Sequence, residues 1–509
     1  VVRTAPARFA VLARLAAVAG ALALGGCTTL GPDFALPAPG WEKTWQSTTL
    51  AELAPGSPAG PWWGQFDDPA LVALVVAAEA SNNNVRIAGL RVLEARAQLA
   101  GARALRLPQF VVGTGAAGYA ANQRGGLSLG DTDTLFGSVG AQVGWELDLW
   151  GRFRRAIESA DALWLEREAT RLDILILVRA ETARLYLLHR TLEERLEVVR
   201  SNAAIQQRSV DITGTLFRQG DASELDLQQA RAQLLTTRAA IPVLEAALQQ
   251  TRNGLCVLLG RPPGAIPELS ASPPRLPQLP AMAAVEVPAD LLRRRPDVRA
   301  AGYRAAAQSA QIGFAQADLF PALSLGGSIR IARSTPGIAN AVDLQLGPSI
   351  RWNILDLGQI RANVRVQDAR LEQALFAYRE AVLQAAAEVD NSAIAYAKDR
   401  EGDAVLAESA AAARRALDLA SLLYREGMID FQRVLEAQTA LLRQQERQVV
   451  NRGEIAVSLV QLYKALGGGW VPPATDDLVD DATRQRMRER TKWGPLLDPP
   501  ARDDPEGPQ

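Results

Sequence analysis

The chain repeats itself at a constant offset, and that repeat limits what it can fold into. "WELDLWGRFRRAIESADA" (145–162) faces "WNILDLGQIRANVRVQDA" (352–369). Trp145 stands against Trp352, Gly151 against Gly358 and Arg154 against Arg361, each pair 207 residues apart. "LFRQGD" (216–221) faces "LYREGM" (423–428), and Gly220 to Gly427 is again 207. Upstream the offset is 213: "NVRIAG" (84–89) faces "DVRAAG" (297–302), and Pro108 faces Pro321. The change of offset falls between Pro108 and Trp145, so that stretch contains a loop, where insertions are tolerated. The chain is a duplicated unit, and any fold must use both copies alike.

Within each copy the periodicity changes twice. Residues 68 to 106 read as one helix opened by Asp68 and Pro69. Residues 109 to 149 turn rich in Gly, Val, Ser and Thr. There Val139, Ala141, Val143, Trp145, Leu147 and Leu149 alternate with Gly140, Gln142, Gly144, Glu146 and Asp148. In the second copy Leu323, Leu325, Ile329 and Ile331 oppose Ser324, Ser328 and Arg330. Leu344, Leu346, Pro348, Ile350, Trp352 and Ile354 oppose Asp343, Gln345, Gly347, Ser349, Arg351 and Asn353. This is the period of a strand with one apolar and one polar face. Strands of about ten residues with an aromatic near one end suit a transmembrane barrel; alternation alone also fits a soluble sandwich. After Gly151 and Gly358 the chain turns helical. Arg152 to Arg218 would make a rod of roughly 100 Å, reversed at Gly220, as its counterpart is at Gly427. The returning helices keep a seven-residue step, in Leu227, Leu234, Ile241, Leu248 and Leu255, and again in Leu435, Leu442, Val449, Ala456 and Tyr463. Such heptads make coiled-coil seams.

Two strands per copy give four per chain. A closed barrel around a lumen needs about eight, and open edges are not tolerated in lipid. The strands therefore belong to a barrel shared among chains. Two copies or three would both satisfy this count.

The N-terminal stretch supplies a second constraint. Arg3, Arg8 and Arg14 precede the apolar run Leu15 to Leu24, which is too short for a mature bilayer-spanning helix and has the form of a secretory signal. Leu24-Gly25-Gly26-Cys27 follows directly and resembles a lipobox, so Cys27 is expected to be acylated and to begin the mature chain. Thr28 is not the Asp that marks retention at the inner membrane.

Composition removes most other functions. Lys plus Arg is 55 and Asp plus Glu is 56, which argues against a nucleic-acid partner, since that wants a basic surface. The second cysteine, Cys256, reads as a small core residue. The single histidine, His189, lies in "LYLLHRTLEERL" and reads as solvated. There is no Cys/His cluster for a transition metal and no phosphate-binding loop. Neither a catalytic residue nor a cofactor is expected.

Several segments together carry a resemblance: "CTTLGPDF", "WWGQFDDPALVALVVAAEASNNNVRIA", "WELDLWGRFRR", "LLGRPPG", "VPADLLRRRPDVRAA", "WNILDLGQIRA" and "LVQLYKALGGGW", in that order. With these the chain resembles the TolC-like outer-membrane factors of tripartite efflux systems, in their NodT/OprM-like lipoprotein branch. It departs at Asn83, where the family often has proline, and at Gln359, where many members repeat glycine. The resemblance implies a mostly α homotrimer with a shared 12-stranded β-barrel in the outer membrane and a coiled-coil α-barrel across the periplasm. Its partners would be a periplasmic membrane-fusion adaptor, an inner-membrane efflux transporter and outer-membrane lipid.

Laid on the chain, this gives a signal peptide at 1–26 and an N-terminal equatorial segment at 27–66. The first repeat is 67–259, with strands in 109–149. A Pro-rich equatorial linker at 260–287 leads to the second repeat at 288–469, with strands in 321–355. The end, 470–509, reads as an equatorial and disordered tail. The implied function is a passive exit duct for drugs or other small solutes. Alternatives are the duct of a protein-secretion system and a non-conducting coiled-coil lipoprotein. The two turns would form the tip that meets the adaptor, through Arg218, Gly220 and Asp221 in one and Arg425, Gly427 and Asp430 in the other. Asp211 and Asp418, each nine residues before its glycine, would form an acidic periplasmic gate able to hold a multivalent cation. The competing reading has both as solvated residues paired with Arg208, Arg414 or Arg415.

Overall fold

The computed structural model describes residues 29–36, 61–121, 132–279, 295–335, 341–468 and 477–498. In chain order the elements are α1 (Pro69–Ser81), α2 (Asn83–Ala104), β1 (Gln109–Ala121), β2 (Thr132–Leu147), α3 (Arg152–Gln219) and α4 (Glu224–Leu258). The second copy repeats them as α5 (Pro296–Ala317), β3 (Ala322–Thr335), β4 (Ala341–Arg351), α6 (Leu357–Arg425) and α7 (Phe431–Ala465), and α8 (Asp481–Arg490) follows. The chain divides into two compact units. One comprises Val1–Ala38, Leu93–Arg167 and Ala300–Tyr378; the other comprises Pro39–Val92, Glu168–Arg299 and Arg379–Gln509.

The first unit holds the sheet, four antiparallel strands in the order β1-β2-β3-β4. Its register aligns like residues across all four strands. Val112 pairs with Ala141, Ala141 with Ile329 and Ile329 with Leu344. The next rung on that face runs Phe110, Val143, Gly327, Leu346. The opposite face carries Val111, Gln142, Ser328, Gln345 and, one rung on, Gly113, Gly140, Arg330, Asp343. A slip of one residue in any strand would mix the two faces.

The second unit is a packing of helices. Its core near the helix tips joins Ala230 of α4, Leu417 of α6 and Phe431, Val434 and Leu441 of α7. Farther along, Leu192, Leu196 and Val199 of α3 close on Leu244 of α4. The heptad positions Leu227, Leu234 and Leu255 are buried, as are Val449, Ala456 and Tyr463, so the seven-residue step marks a packed seam.

Two expectations change. The helix read over 68–106 is two helices, because Asn82 leaves helical geometry with ψ 128. Its side chain explains the break: Oδ1 accepts from the N–H groups of Asn84 and Val85, capping α2, while Nδ2 donates to the Leu258 carbonyl. His189 is not solvated but 1% exposed. Its Nδ1 lies 2.9 Å from Thr251 Oγ1, and its Nε2 faces Glu193. Arg190, next to it in sequence, is buried too, because its guanidinium is fully partnered. Arg190 bonds Glu193, the Tyr186 hydroxyl and the carbonyls of Leu269 and Ser272 in the Pro-rich linker. The Tyr186 hydroxyl in turn donates to Asp68, the cap of α1, at 2.6 Å. Buried charge survives where every member is paired, and a helix that looks solvated by composition can then be interior. Ahead of the final residues, α8 is capped by Asp480 and joined to α2 by the Arg86–Asp480 pair. Cys27 and the final residues 499–509 lie outside the described residues.

Candidate functional site

The sheet's apolar face has nothing packed over it among the described residues. Phe110, Val112, Ile331, Leu344 and Ile350 are all exposed, and Leu346 is 88% so. A sandwich would cover such a face with a second sheet. A monomeric soluble protein rarely leaves so continuous an apolar surface open, whereas the outer wall of a membrane barrel must. Val111 apart, the polar-face rungs described above carry small or hydrophilic residues, and that face has glycine at 113, 140, 144, 326 and 347. At Gly140 a methyl group would lie 2.9 Å from the Ile329 carbonyl.

Both copies set the level at which their strands begin in the same way. The Trp145 indole donates to the Arg106 carbonyl at 3.0 Å, and the Trp352 indole donates to the Leu319 carbonyl at 3.1 Å. Each acceptor lies at the end of the helix that precedes its strands. Trp150 adds a third indole, bonded to the Pro321 carbonyl at 2.9 Å and stacked on Phe320. Indoles with an apolar body and a bonded N–H suit a membrane–water boundary.

The two turns are built on one plan. Gly220 has φ +88 and Gly427 φ +70. The N–H of Asp221 closes on the Leu216 carbonyl, and that of Met428 on Leu423, both at 2.9 Å. These are left-handed glycine caps that satisfy the last carbonyls of a helix. No atom lies within 4 Å of a Cβ added at either glycine, so backbone conformation selects glycine there. Arg218 donates to Thr215 Oγ1, and Arg425 to the Ser421 carbonyl. Asp221 is exposed. Ser223 forms a capping box with Asp226, whereas Asp430 precedes α7 without a side-chain cap bond.

Asp211 and Asp418 are both exposed. Neither forms an ion pair among the described residues; Asp211 accepts only from the Gln207 amide, at 2.9 Å. No ion pair joins either of them to Arg208, Arg414 or Arg415 among the described residues. Asp418 lines a groove of about 430 Å³ with Arg208, Arg414, Arg425, Ser421 and Tyr424. Asp211 does not line it. No group of three metal-ligating side chains occurs among the described residues, and no described helix is long and apolar enough to cross a membrane.

Comparison with known proteins decides the family. The family model described as outer membrane efflux protein matches residues 74–261 and 287–468. The chain belongs to that outer membrane efflux family. The pyoverdine export outer membrane protein OpmQ of Pseudomonas putida is 31% identical over 465 residues, 88% of this chain and 96% of the relative. The solvent efflux pump outer membrane protein SrpC, also of Pseudomonas putida, is 31% identical over 471 residues, 88% of this chain and 97% of the relative. The solved structure of the outer-membrane channel OprN superposes with a TM-score of 0.80 at 34% identity, covering 87% of this chain and 99% of that one.

Two features of this efflux channel escaped sequence reasoning. One is the environment of Arg155, buried at 3% exposure against the N-terminal segment. The other is a charged cluster in the second unit, where Arg295 bonds Asp297 and Glu388, and Lys464 bonds Glu388. Asp173 lies half-buried beside it. Burial, with Asp297 adding like charge, pushes the Asp173 carboxyl up to about 6. Both features depend on residues far apart in sequence. The available signal was only that Arg155 and Arg295 sit in the motif stretches "GRFRR" and "RRRPD".

Proposed function

We propose that this outer-membrane efflux channel acts as a homotrimer, in which three copies of the four-stranded sheet close one 12-stranded barrel around a common lumen. What supports the reading is the sheet itself. β1 and β4 are both edges, and its apolar face is exposed. In hydrocarbon an unpaired edge carries unsatisfied backbone groups costing several kcal/mol each, so β4 of one copy pairs with β1 of the next. The polar face then lines the lumen.

The long helix pairs line a duct in the periplasm. Their glycine-capped tips, with Arg218, Asp221, Arg425 and Asp430, meet a periplasmic adaptor coupled to an inner-membrane transporter. Asp418 and Asp211 supply carboxylates near the narrow end. A diacylglyceryl group on Cys27 adds about 0.8 kcal/mol of membrane binding per buried CH₂. The cargo is a drug or another small solute. Relatives named for pyoverdine and for solvents share nearly the whole chain length, which fits a lumen that does not itself select cargo. The test is the mass of the detergent-extracted assembly, for which three copies are expected and one or two would overturn the trimer. The same spectrum read on the denatured chain reports the lipid adduct.

A further inference from the structure

From Thr29 the chain runs at once into a close-fitting seat in the first unit. Leu30 donates its N–H to the Trp150 carbonyl at 3.2 Å. Arg155, in the first turn of α3, turns its guanidinium onto the same segment. Its Nε donates to the Leu30 carbonyl at 2.8 Å, and its Nη2 to the Gly31 carbonyl at 3.0 Å and to Asp33 at 2.9 Å; its Nη1 bonds Glu158. Three glycines leave no space for a side chain. A Cβ on Gly151, which has φ +75, would lie 2.9 Å from the Thr29 Cα. One on Gly31, with φ +90, would lie 2.5 Å from the Gly313 Cα, and one on Gly313 would collide with the Leu30 carbonyl.

Chain segments near a terminus ordinarily fray unless tied down. This one is tied by a buried arginine whose partners, Glu158 aside, all come from the segment, and such an arginine is costly without them. The seat also lies at a particular level. Trp150, which takes the Leu30 N–H, bonds the Pro321 carbonyl immediately before β3 and stacks on Phe320. Cys27 is only two residues before Thr29. At about 3.3–3.6 Å per residue it can stray no more than roughly 7 Å from the seat, a small fraction of the roughly 30 Å hydrocarbon core.

We propose that Arg155, Gly151 and Gly313 form a positioning site for the N-terminal lipid. They hold residues 29–33 beside Trp150 so that acyl chains carried by Cys27 leave the protein where the apolar face of the sheet begins. Anchor and sheet then enter the inner leaflet in one register. This inference rests on the reading that Cys27 is acylated.

The test uses full-length protein extracted from membranes and returned to phosphatidylethanolamine–phosphatidylglycerol vesicles. A nitroxide is placed by Ala35→Cys, an exposed position just past the seat, in a Cys256→Ser background, where the lipid blocks Cys27. With the seat intact the label should be immobile and at one shallow depth, read by collision with oxygen and with a nickel chelate. Arg155→Ala should free it and spread its depth while the chain mass still shows the adduct. An unchanged label would overturn the proposal, as would a wild-type label far from the leaflet. Because Arg155→Ala can also impair folding, a second variant inserts six Gly/Ser residues after Thr28 and leaves the seat untouched. It should lower the yield of trimer in the outer membrane, and should lower it no further in a Cys27→Ser background. An acylated insertion variant with normal yield sinks this inference alone. A wild-type chain without adduct sinks the lipid reading and this inference with it.

Discussion

Arg295 donates from Nη1 to the carbonyl oxygen of Ala465 at 2.6 Å, closing the C-terminal end of α7. The same bond exists in the first copy: Asn82 stands 213 residues before Arg295, Leu258 stands 207 before Ala465, and Asn82 Nδ2 donates to the Leu258 carbonyl at 2.9 Å. The duplication kept the contact and changed the donor. Arg295 adds bonds to Asp297 and Glu388 that Asn82 has no charge to make. Arg295→Ala should therefore destabilise by about 3–5 kcal/mol, as expected when a buried ion pair loses one partner. Asn82→Ala should cost about 1–3 kcal/mol, the penalty of an unmet buried group. Denaturant titration of the purified protein measures both, and equal losses would contradict this account.

The Asp173 carboxyl gives stability a pH dependence of definite sign. Its ordinary value is 3.8, and burial, helped by Asp297 and Glu388 and opposed by Arg295 and Lys464, raises it to about 6. Between those values the folded chain holds a proton that the unfolded chain has released, so this group's contribution falls as pH rises from about 4 to about 6 and stays low above. Glu388 acts in the opposite sense. Burial pushes its carboxyl up, but Lys464 and Arg295 together hold it below its ordinary value, so its contribution is lost on acidification. Asp173→Asn isolates the first effect. The variant should melt higher than wild type at pH 7.5, with the gap closing by about pH 4. A constant gap would show that Asp173 does not titrate in this range.

Much of this was legible in the sequence, and particular residues show why. The two-residue alternation that starts at Val139 survives as a strand face as far as Leu147, where β2 ends short of Leu149, because the register carries it across Ile329 and Leu344. The glycines at 220 and 427 announced turns because few other residues adopt positive φ without strain. Asn82 gave no warning of a helix break, since its capping role needs a partner, Leu258, that lies 176 residues away. His189 read as solvated and is buried, as is Arg190 beside it, for a similar reason: the carbonyls of Leu269 and Ser272 come to Arg190 from the linker. Local pattern finds elements and caps; it does not find the distant partner that allows a charge to be buried.

At the tips, Gly220 and Gly427 are required for backbone conformation and have open space around them. Replacing both with Leu should cost roughly 1–2 kcal/mol per site for a left-handed non-glycine residue. That is too little to prevent assembly into the proposed trimer, but it reshapes the surface at which adaptor docking is proposed. Efflux measured in cells should be lost while trimer yield holds. Normal efflux would remove these turns from the docking site.

The proposed gate reading turns on Asp418, which lines its groove without an ion pair among the described residues. Asp418→Ala should weaken cation selectivity and remove block by a trivalent cation, while Asp211→Ala should do less. Unchanged selectivity and block in Asp418→Ala would leave Asp418 as a solvated surface residue.

The central claim is that exposed apolar strands from several copies enclose one water-filled duct. Single-channel recording of the purified protein in a planar bilayer tests it most directly. Discrete, uniform conductance steps are expected, appearing only from the fraction that carries assembled oligomers. Bilayers that stay silent with fully assembled protein, under conditions that open the Asp418→Ala variant no better, would contradict a conducting duct and leave a coiled-coil lipoprotein without a pore.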